Sequence, residues 1–276
     1  MSPVTPPGPR RLGALFAAAG AAGRTLTIPY LTYGFPDRDE TVELVLAAEE
    51  GGADIVELGL PFSDPLADGP TIQASSQRAL EGGASLTGVL EASAAIRRRS
   101  SIPLVYMGYY NPIQHFGLEA FVEAMAQVGV DGLIVPDLPL EEAGPLAAAI
   151  RERNLSLVSL IAPTTPEARV ARLDEASSDF SYCVAVTGVT GARTELDDTL
   201  PEYLARVKRA ARKPFVVGFG ISTRAQVARV APPAAGIVVG SALIAAIDAA
   251  PDAGARRAAV RRFVSRIAGR STEGAP

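Results

Sequence analysis

Short apolar runs alternate along the chain with longer stretches in which apolar residues recur three and four positions apart. The runs are bounded by glycine, proline or polar residues, a pattern typical of strands buried on both faces of a parallel sheet. The longer stretches have the period of amphipathic helices. The runs predict eight strands, at 27–33, 55–60, 104–108, 132–136, 155–162, 180–186, 215–217 and 236–239.

Strands that alternate with helices in this way predict an α/β fold, a single (β/α)8 TIM barrel with an extra N-terminal helix. A doubly wound dinucleotide-binding sheet is disfavoured because no Gly-x-Gly-x-x-Gly motif opens the first helix. The expected division is a tail and lead-in helix at 1–23, one barrel at 24–269 and a disordered tail at 270–276. The predicted helices include 37–50, 71–80, 86–99, 118–127 and 141–153.

The second predicted strand carries one carboxylate, Glu57, and leads into a loop that contains Asp64 and Asp68. A buried ionisable group costs free energy unless it has a partner or a task. Glu57 is therefore either a member of a structural ion pair or a functional acid. If it points into the barrel, then Ile55 and Gly59 do so too, and the carboxylate lies near the C-terminal mouth where barrel enzymes do their chemistry.

Two glycine patterns end the seventh and eighth strands, at 217–221 (VGFGI) and 239–241 (VGS). Glycine lets backbone N–H groups approach an anion, and Gly240-Ser241 opens a helix whose N-terminus favours negative charge. These patterns predict a phosphate site, although glycine at such turns also serves plain geometry. The loop at 187–193 is either a lid or a connector. Tyr109, Tyr110 and Asn111 either pack or line a pocket, and the sequence does not decide between these two roles.

Composition removes several classes of function. The net charge of −4 disfavours a nucleic-acid surface. Cys183 and His115 are the only residues of their types, so neither a disulfide nor a Cys/His metal cluster is expected. The two lysines, Lys208 and Lys213, fall away from the mouth, which disfavours a Schiff base. The apolar segment 231–247 is broken by proline and glycine, and the N-terminus lacks the build of a signal peptide, so a cytoplasmic protein is expected.

The run VELGLPFSDPLADGPTIQ at 56–73 resembles the signature of the tryptophan synthase alpha subunit family. Further similar motifs follow in the same order, at 109–112, 135–139, 187–193, 218–221 and 240–241. The resemblance implies retro-aldol cleavage of indole-3-glycerol phosphate to indole and glyceraldehyde 3-phosphate. It departs from some family members at Ala185 and Val186, where they carry polar residues, which affects extra lid or phosphate contacts only.

The same resemblance implies roles for single residues. Glu57 and Asp68 match the catalytic pair, and Asp64 and Pro65 match positions that face a beta subunit. The matched substrate-binding residues are Tyr109, Tyr182, Thr190, Gly191, Gly218, Gly220, Gly240 and Ser241. Thr190 would hold Asp68 when the lid is closed. The implied assembly is an alpha-beta-beta-alpha heterotetramer, with pyridoxal phosphate in the beta subunit and no cofactor or metal in this chain.

Two other functions stay compatible with these motifs. One is a stand-alone lyase that releases indole without a partner. The other is a non-catalytic subunit that keeps the fold and the phosphate site but only activates its partner. The presence of both Glu57 and Asp68 disfavours the second.

Overall fold

The computed structural model describes residues 10–184, 199–218 and 220–270. Nine strands lie in this part of the chain: β1 Leu26–Thr32, β2 Val56–Gly59, β3 Leu104–Met107, β4 Gly132–Ile134, β5 Ser156–Val158, β6 Leu160–Ile161, β7 Ser181–Val184, β8 Phe215–Gly218 and β9 Gly236–Val239. The described α-helices are α1 Arg11–Ala21, α2 Thr41–Glu50, α3 Pro70–Glu81, α4 Leu86–Arg97, α5 Tyr110–Phe116, α6 Leu118–Gln127, α7 Gly144–Glu152, α8 Glu167–Ala176, α9 Leu200–Ala210, α10 Arg224–Val230, α11 Ser241–Asp248 and α12 Ala253–Ala268. Residues 1–9 of the predicted N-terminal segment (1–23) and residues 271–276 of the predicted C-terminal tail (270–276) lie outside the described residues.

The strands form one sheet in the order β5-β4-β3-β2-β1-β9-β8-β7-β6, and every pair within it is parallel. The two ends of this order, β5 and β6, are separated in the chain only by Ser159. The sheet therefore curls round until its ends meet, as a nearly closed barrel wrapped by helices. The predicted TIM barrel with an extra N-terminal helix is confirmed.

The fifth predicted strand, 155–162, is not continuous, which corrects the prediction of eight unbroken strands. β5 pairs with β4 and β6 pairs with β7. Hydroxyl groups from the loop after α8 take up backbone N–H groups at the break: Ser178 Oγ accepts from Leu157 N at 3.0 Å and Ser177 Oγ from Ser159 N at 2.8 Å. These side chains replace a strand partner, so the ladder changes sides at Ser159.

Two helical predictions also need correction. The segment 37–50 begins as a 3-10 turn, Arg38–Glu40, because the Asp37 side chain accepts from Asp39 N at 3.0 Å, and the α-helix starts only at Thr41. Helix α5 was not predicted, because residues 109–112 were assigned only to the end of the third strand. Pro112 sits in the first turn of α5, where its missing N–H has no helical partner to lose.

Register fixes which side chains point into the barrel. The Tyr106 hydroxyl meets the Ser93 hydroxyl of α4 at 2.6 Å, so Tyr106 points outward to the helices. Leu58 is its partner in the neighbouring strand and shares that direction. Glu57, one residue earlier, therefore points inward, as expected, with Tyr30 and Val105 beside it in register.

Carboxylates hold the N-terminal ends of the strands, and we call Asp54, Asp131 and Asp174 the rim aspartates. Asp54 accepts from the β1 backbone at Thr27 N (2.8 Å), and Asp131 from the β3 backbone at Leu104 N (2.9 Å). Asp174 accepts from Arg212 N, just before β8, at 2.8 Å. Each rim aspartate thus satisfies an N–H group that the parallel ladder leaves over.

Helix α1 closes the same N-terminal face of the barrel. Phe16 packs on Phe180 with ring centroids 4.7 Å apart, and Leu12 is fully buried. Arg10, just before α1, pairs with Asp179 at 2.8 Å. The N-terminal face is therefore sealed by packing and ion pairs, and the opposite face is left for a cavity. Cys183, in the middle of β7, is fully buried.

We expect Asp131→Ala to lower the free energy of unfolding by about 2–4 kcal/mol, because it leaves Leu104 N without its acceptor and removes the carboxylate that pairs with Arg11 and Arg97. Urea unfolding measures this change. Glu152→Ala is the control, because Glu152 is exposed and, in the described part of the chain, forms an ion pair with Arg153 alone. Catalytic rate should be unchanged in both variants, since both sites lie away from the mouth; equal stability of the two variants would contradict the role of Asp131.

Candidate active site

A cavity of about 1060 Å³ opens at the C-terminal mouth of the barrel. It brings together seven of the residues predicted for the site: Glu57, Asp68, Tyr182, Gly218, Gly220, Gly240 and Ser241. Apolar side chains also line the cavity wall, among them Ile72, Met107, Val184 and Val238. A cavity with an apolar wall and a few convergent polar groups suits a substrate that has both an aromatic ring and a charged end.

Glu57 lies near the end of β2 and is only 2% exposed. Its Oε1 atom has no hydrogen-bond partner among the described residues. Burial, and to a lesser extent the negative charge of Asp68, raise the pKa of Glu57 to about 8. The predicted alternative of a structural ion pair has no support in the described part of the chain, because no cation lies within bonding distance of this carboxyl.

Asp68 lies on the loop between β2 and α3 and faces the same cavity. Burial raises its pKa to about 6, and a hydrogen bond from Tyr109 opposes that rise. Tyr109 Oη donates to Asp68 Oδ2 at 3.0 Å. The two acids thus have different surroundings, since one has a donor on its carboxylate and the other has none among the described residues. Such a difference separates the pKa values of an acid–base pair.

The structure shows what Tyr109 and Tyr110 contact. Tyr109 is buried against Phe62, with ring centroids 5.2 Å apart, and its hydroxyl also accepts from Ala67 N at 3.0 Å. Tyr110 begins α5, and its N–H donates to the Asp137 carboxylate at 3.0 Å. Tyr109 therefore packs and also holds the Asp68 loop. Whether it touches substrate stays a prediction.

Tyr30 belongs to this site and was not singled out from the sequence. It is buried, lines the cavity, and lies beside Glu57 in the register of β1 and β2. Burial and the nearby Asp68 and Glu57 charges raise the pKa of its hydroxyl well above the usual value. The sequence could have indicated this residue, because Tyr30 lies near the C-terminal end of the first strand at a position that faces the barrel interior, beside Glu57.

Two glycines make room for the tyrosines. A Cβ atom at Gly59 would lie 2.0 Å from Tyr30 Oη, and one at Gly218 would lie 2.4 Å from Tyr182 Oη. Either side chain would force its tyrosine out of the cavity wall. Gly218 thus has a packing role that does not depend on any ligand, alongside its predicted role at the phosphate.

The predicted phosphate end of the cavity is built from β8 and β9. Gly220 adopts φ +54°, a left-handed conformation that favours glycine. Gly240 is the N-cap of α11 and Ser241 is its first residue, and both face the cavity. The first N–H groups of a helix have no partner within the helix, so this end favours an anion.

The remaining predicted site residues are at the edge or outside the described chain. Asp64 is exposed and Pro65 is half-buried on the loop that carries Asp68, and the neighbouring Leu66 is 90% exposed. The predicted lid residues Thr190 and Gly191 lie outside the described residues.

The described residues hold no group of three or more potential metal ligands. Within the same ranges, no helix is both long enough and apolar enough to cross a membrane. Lys213 lies away from the mouth, as expected. Its Nζ donates to the Glu175 carbonyl at 3.0 Å, at the end of α8 that adjoins the N-terminal face.

Comparison with known proteins supports the geometry. The model of the family described as "Tryptophan synthase alpha chain" matches residues 16–269. The tryptophan synthase alpha chain of Roseiflexus sp. (strain RS-1) is 52% identical over 242 residues, which cover 87% of this chain and 93% of the relative. That of Chloroflexus aurantiacus is 50% identical over 242 residues, covering 87% and 91%.

Solved structures agree with this assignment. A structure of Mycobacterium tuberculosis tryptophan synthase superposes with a TM-score of 0.86 at 38% identity, covering 97% of this chain and all of the other. A tryptophan synthase complex from Pyrococcus furiosus gives a TM-score of 0.81 at 39% identity, covering 88% and 98%. The chain belongs to the tryptophan synthase alpha chain family and is a lyase that cleaves indole-3-glycerol phosphate to indole and glyceraldehyde 3-phosphate.

Proposed function

We propose that Glu57 is the general acid and base of this cleavage and that Asp68 holds the indole N–H. The observation that carries the proposal is the buried Glu57 carboxyl, which faces the cavity with a pKa of about 8 and no hydrogen bond to Oε1 among the described residues. At neutral pH most of this group carries its proton. A protonated acid in an apolar wall can deliver that proton to a carbon atom of a bound ring.

The chemistry begins when Glu57 gives its proton to C3 of the indole ring. The ring becomes a cationic indolenine, which can accept an electron pair. The Glu57 carboxylate then takes the proton of the glycerol hydroxyl next to the ring. A carbonyl forms there, the bond from C3 to that carbon breaks, and its electrons restore the aromatic indole. Glu57 ends protonated again, so the step needs neither a metal nor a redox partner.

Asp68 stabilises the positive charge that develops on the ring nitrogen. With its pKa raised only to about 6, it is largely ionised at neutral pH and can accept the indole N–H. A negative charge placed there stabilises the cationic ring more than the neutral substrate, which is the condition for lowering a barrier. Tyr182 lies beside the pair and supports the ring from β7.

The phosphate is proposed to bind at Gly218, Gly220, Gly240 and Ser241, with Gly191 and the lid residue Thr190 closing over the substrate. Backbone N–H groups and the α11 N-terminus supply the attraction, since no lysine lies at this end. The phosphate would hold the substrate so that its ring reaches the two acids across the cavity.

A beta subunit is the proposed partner, because relatives occur in tryptophan synthase complexes. Asp64 and Pro65 would face it, next to the exposed Leu66. We extend the proposal to an alpha-beta-beta-alpha heterotetramer in the cytoplasm, with pyridoxal phosphate in the beta subunit and no cofactor in this chain. An exposed leucine on a proline-rich loop suits burial against another protein.

Glu57→Gln and Asp68→Asn should each lower indole release by roughly 10²–10⁴, because each removes an ionisable group with little change in volume. Single-turnover assays of the purified chain measure this loss. Glu119→Gln, on the surface of α6, is the control and should be unchanged. Near-normal turnover in either site variant would remove that residue from the mechanism.

Indole release with and without added beta subunit separates the alternatives. A large rise on addition supports the two-subunit enzyme. Full activity without the partner would favour the stand-alone lyase, and no activity in either case would favour a purely activating subunit.

The pH dependence of kcat/KM should be bell-shaped, with limbs near about 6 and about 8. Activity falls below the lower limb because Asp68 becomes protonated, and above the upper limb because Glu57 loses its proton. The two groups interact, so the limbs belong to the pair.

In Asp68→Asn, ¹³C NMR should show the Glu57 pKa below about 8 but above its usual value, because burial is the larger cause. A profile that stays flat to pH 10 would contradict the assignment.

Ser241→Ala should raise KM for indole-3-glycerol phosphate about 3–10-fold with little change in kcat, because it removes one donor at the phosphate end. Unphosphorylated indole-3-glycerol is the control substrate, and its kcat/KM should not change. An equal loss for both substrates would contradict the placement of the phosphate.

A further inference from the structure

Gln73, in the first turn of α3, reaches back to the loop that carries Asp68. Its Nε2 donates to the Asp68 carbonyl at 2.9 Å and lies 3.4 Å from the Pro65 carbonyl. The side chain is half-buried. A single amide group therefore touches both ends of the four-residue segment 65–68.

This segment has few other restraints. Asp68 N donates to the Pro65 carbonyl at 3.0 Å, which closes the turn. Pro65 has no N–H group to contribute, and the Leu66 side chain is 90% exposed. Without Gln73, the described residues hold the turn by that one closing bond, by the Leu66 N to Asp64 carbonyl bond, and by the Tyr109 hydroxyl.

The two side chains grip different parts of the turn. Tyr109, at the start of α5, binds the Asp68 carboxylate and Ala67 N, and Gln73 binds the Asp68 backbone from α3. A carboxylate fixed at its tip by Tyr109 and at its backbone by Gln73 has a set position relative to Glu57. Loss of the backbone grip lets the main chain shift while the tip stays hydrogen-bonded, which changes the angle at which the carboxylate meets a ring N–H.

We propose that Gln73 is a positioning residue for the cleavage, which acts through the Asp68 backbone and not through the substrate; this rests on the proposed role of Asp68. Displacement of a catalytic group by about 1 Å costs up to about 10²-fold in rate. Substrate binding depends on the phosphate end and the apolar wall, neither of which Gln73 reaches. Its loss therefore lowers kcat and leaves KM nearly constant.

The test compares Gln73→Ala, Gln73→Glu and Gln77→Ala in the full chain. Gln77 is one turn further along α3 and, among the described residues, its side chain bonds to the exposed Glu81 alone, so it is a matched control. We expect kcat to fall about tenfold in both Gln73 variants, KM to stay within about twofold, and Gln77→Ala to match the parent. Glu fills the same volume as Gln but has no amide donor, so a purely packing role would leave Gln73→Glu at the parental rate and would overturn the proposal.

Hydrogen exchange gives a second readout that does not depend on activity. The Asp68 amide should exchange about tenfold faster in both Gln73 variants, while the amides of β2 and β3 keep their protection. Unchanged exchange at Asp68 would overturn the proposal.

Asp68→Asn, measured in parallel, distinguishes a failure of the proposed function from a failure of the positioning role of Gln73. If it retains parental activity, the proposed function fails. If it is inactive while Gln73→Ala is normal, only the positioning role fails.

Discussion

The desolvation of one carboxyl group is the physical constraint on which the proposed chemistry of this barrel depends. Glu57 sits on a strand whose alternate residues face the interior, and its neighbours in register are Tyr30 and Val105. Water is excluded from it, so its charged form is disfavoured. Two described features of the mouth support that condition: glycines admit the tyrosine rings beside it, and apolar side chains line the cavity.

Acidic residues lie at both faces of the barrel, but their surroundings differ. At the N-terminal face, Asp54, Asp131 and Asp174 accept backbone N–H groups, and two of them also pair with arginine, so their negative charge is matched and stabilises the fold. At the mouth, Glu57 has no cation beside it among the described residues, and Asp68 has only the hydroxyl of Tyr109 on its carboxylate. Burial without a cation disfavours the ionised form of both acids, which is unfavourable for stability, and the proposed function uses the raised pKa values that result.

Much of this arrangement could be predicted from the chain. The apolar runs gave strand positions to within a few residues, and a lone carboxylate within such a run marked Glu57. The motif at 56–73 then connected it with Asp68. The lid residues Thr190 and Gly191 stay predictions, since they lie outside the described residues.

The missed features depend on contacts that sequence spacing cannot show. The fifth strand splits because hydroxyl groups about twenty residues further along take its N–H groups. Helix α5 is capped by Asp137, twenty-seven residues away. The link from Tyr109 to Asp68 spans forty-one residues, and a tyrosine at a strand end is equally compatible with simple packing. Local pattern decides element type, whereas such long-range hydrogen bonds decide where elements break and which side chains meet.

Cys183 carries the single thiol of the chain, and it can serve as a probe of local opening. Cys183 lies buried in β7, and burial raises the pKa of its sulfhydryl to about 12, so it is inert in the closed barrel. Because Tyr182 faces the cavity, Cys183 faces the helices outside β7, where it meets Tyr203 of α9, and a thiol reagent reaches it when that cover opens. The rate at which the thiol of the unaltered chain is modified therefore measures how often this part of the barrel opens. A ligand that binds only the closed form lowers the modification rate in proportion to its occupancy, and no engineered label is required.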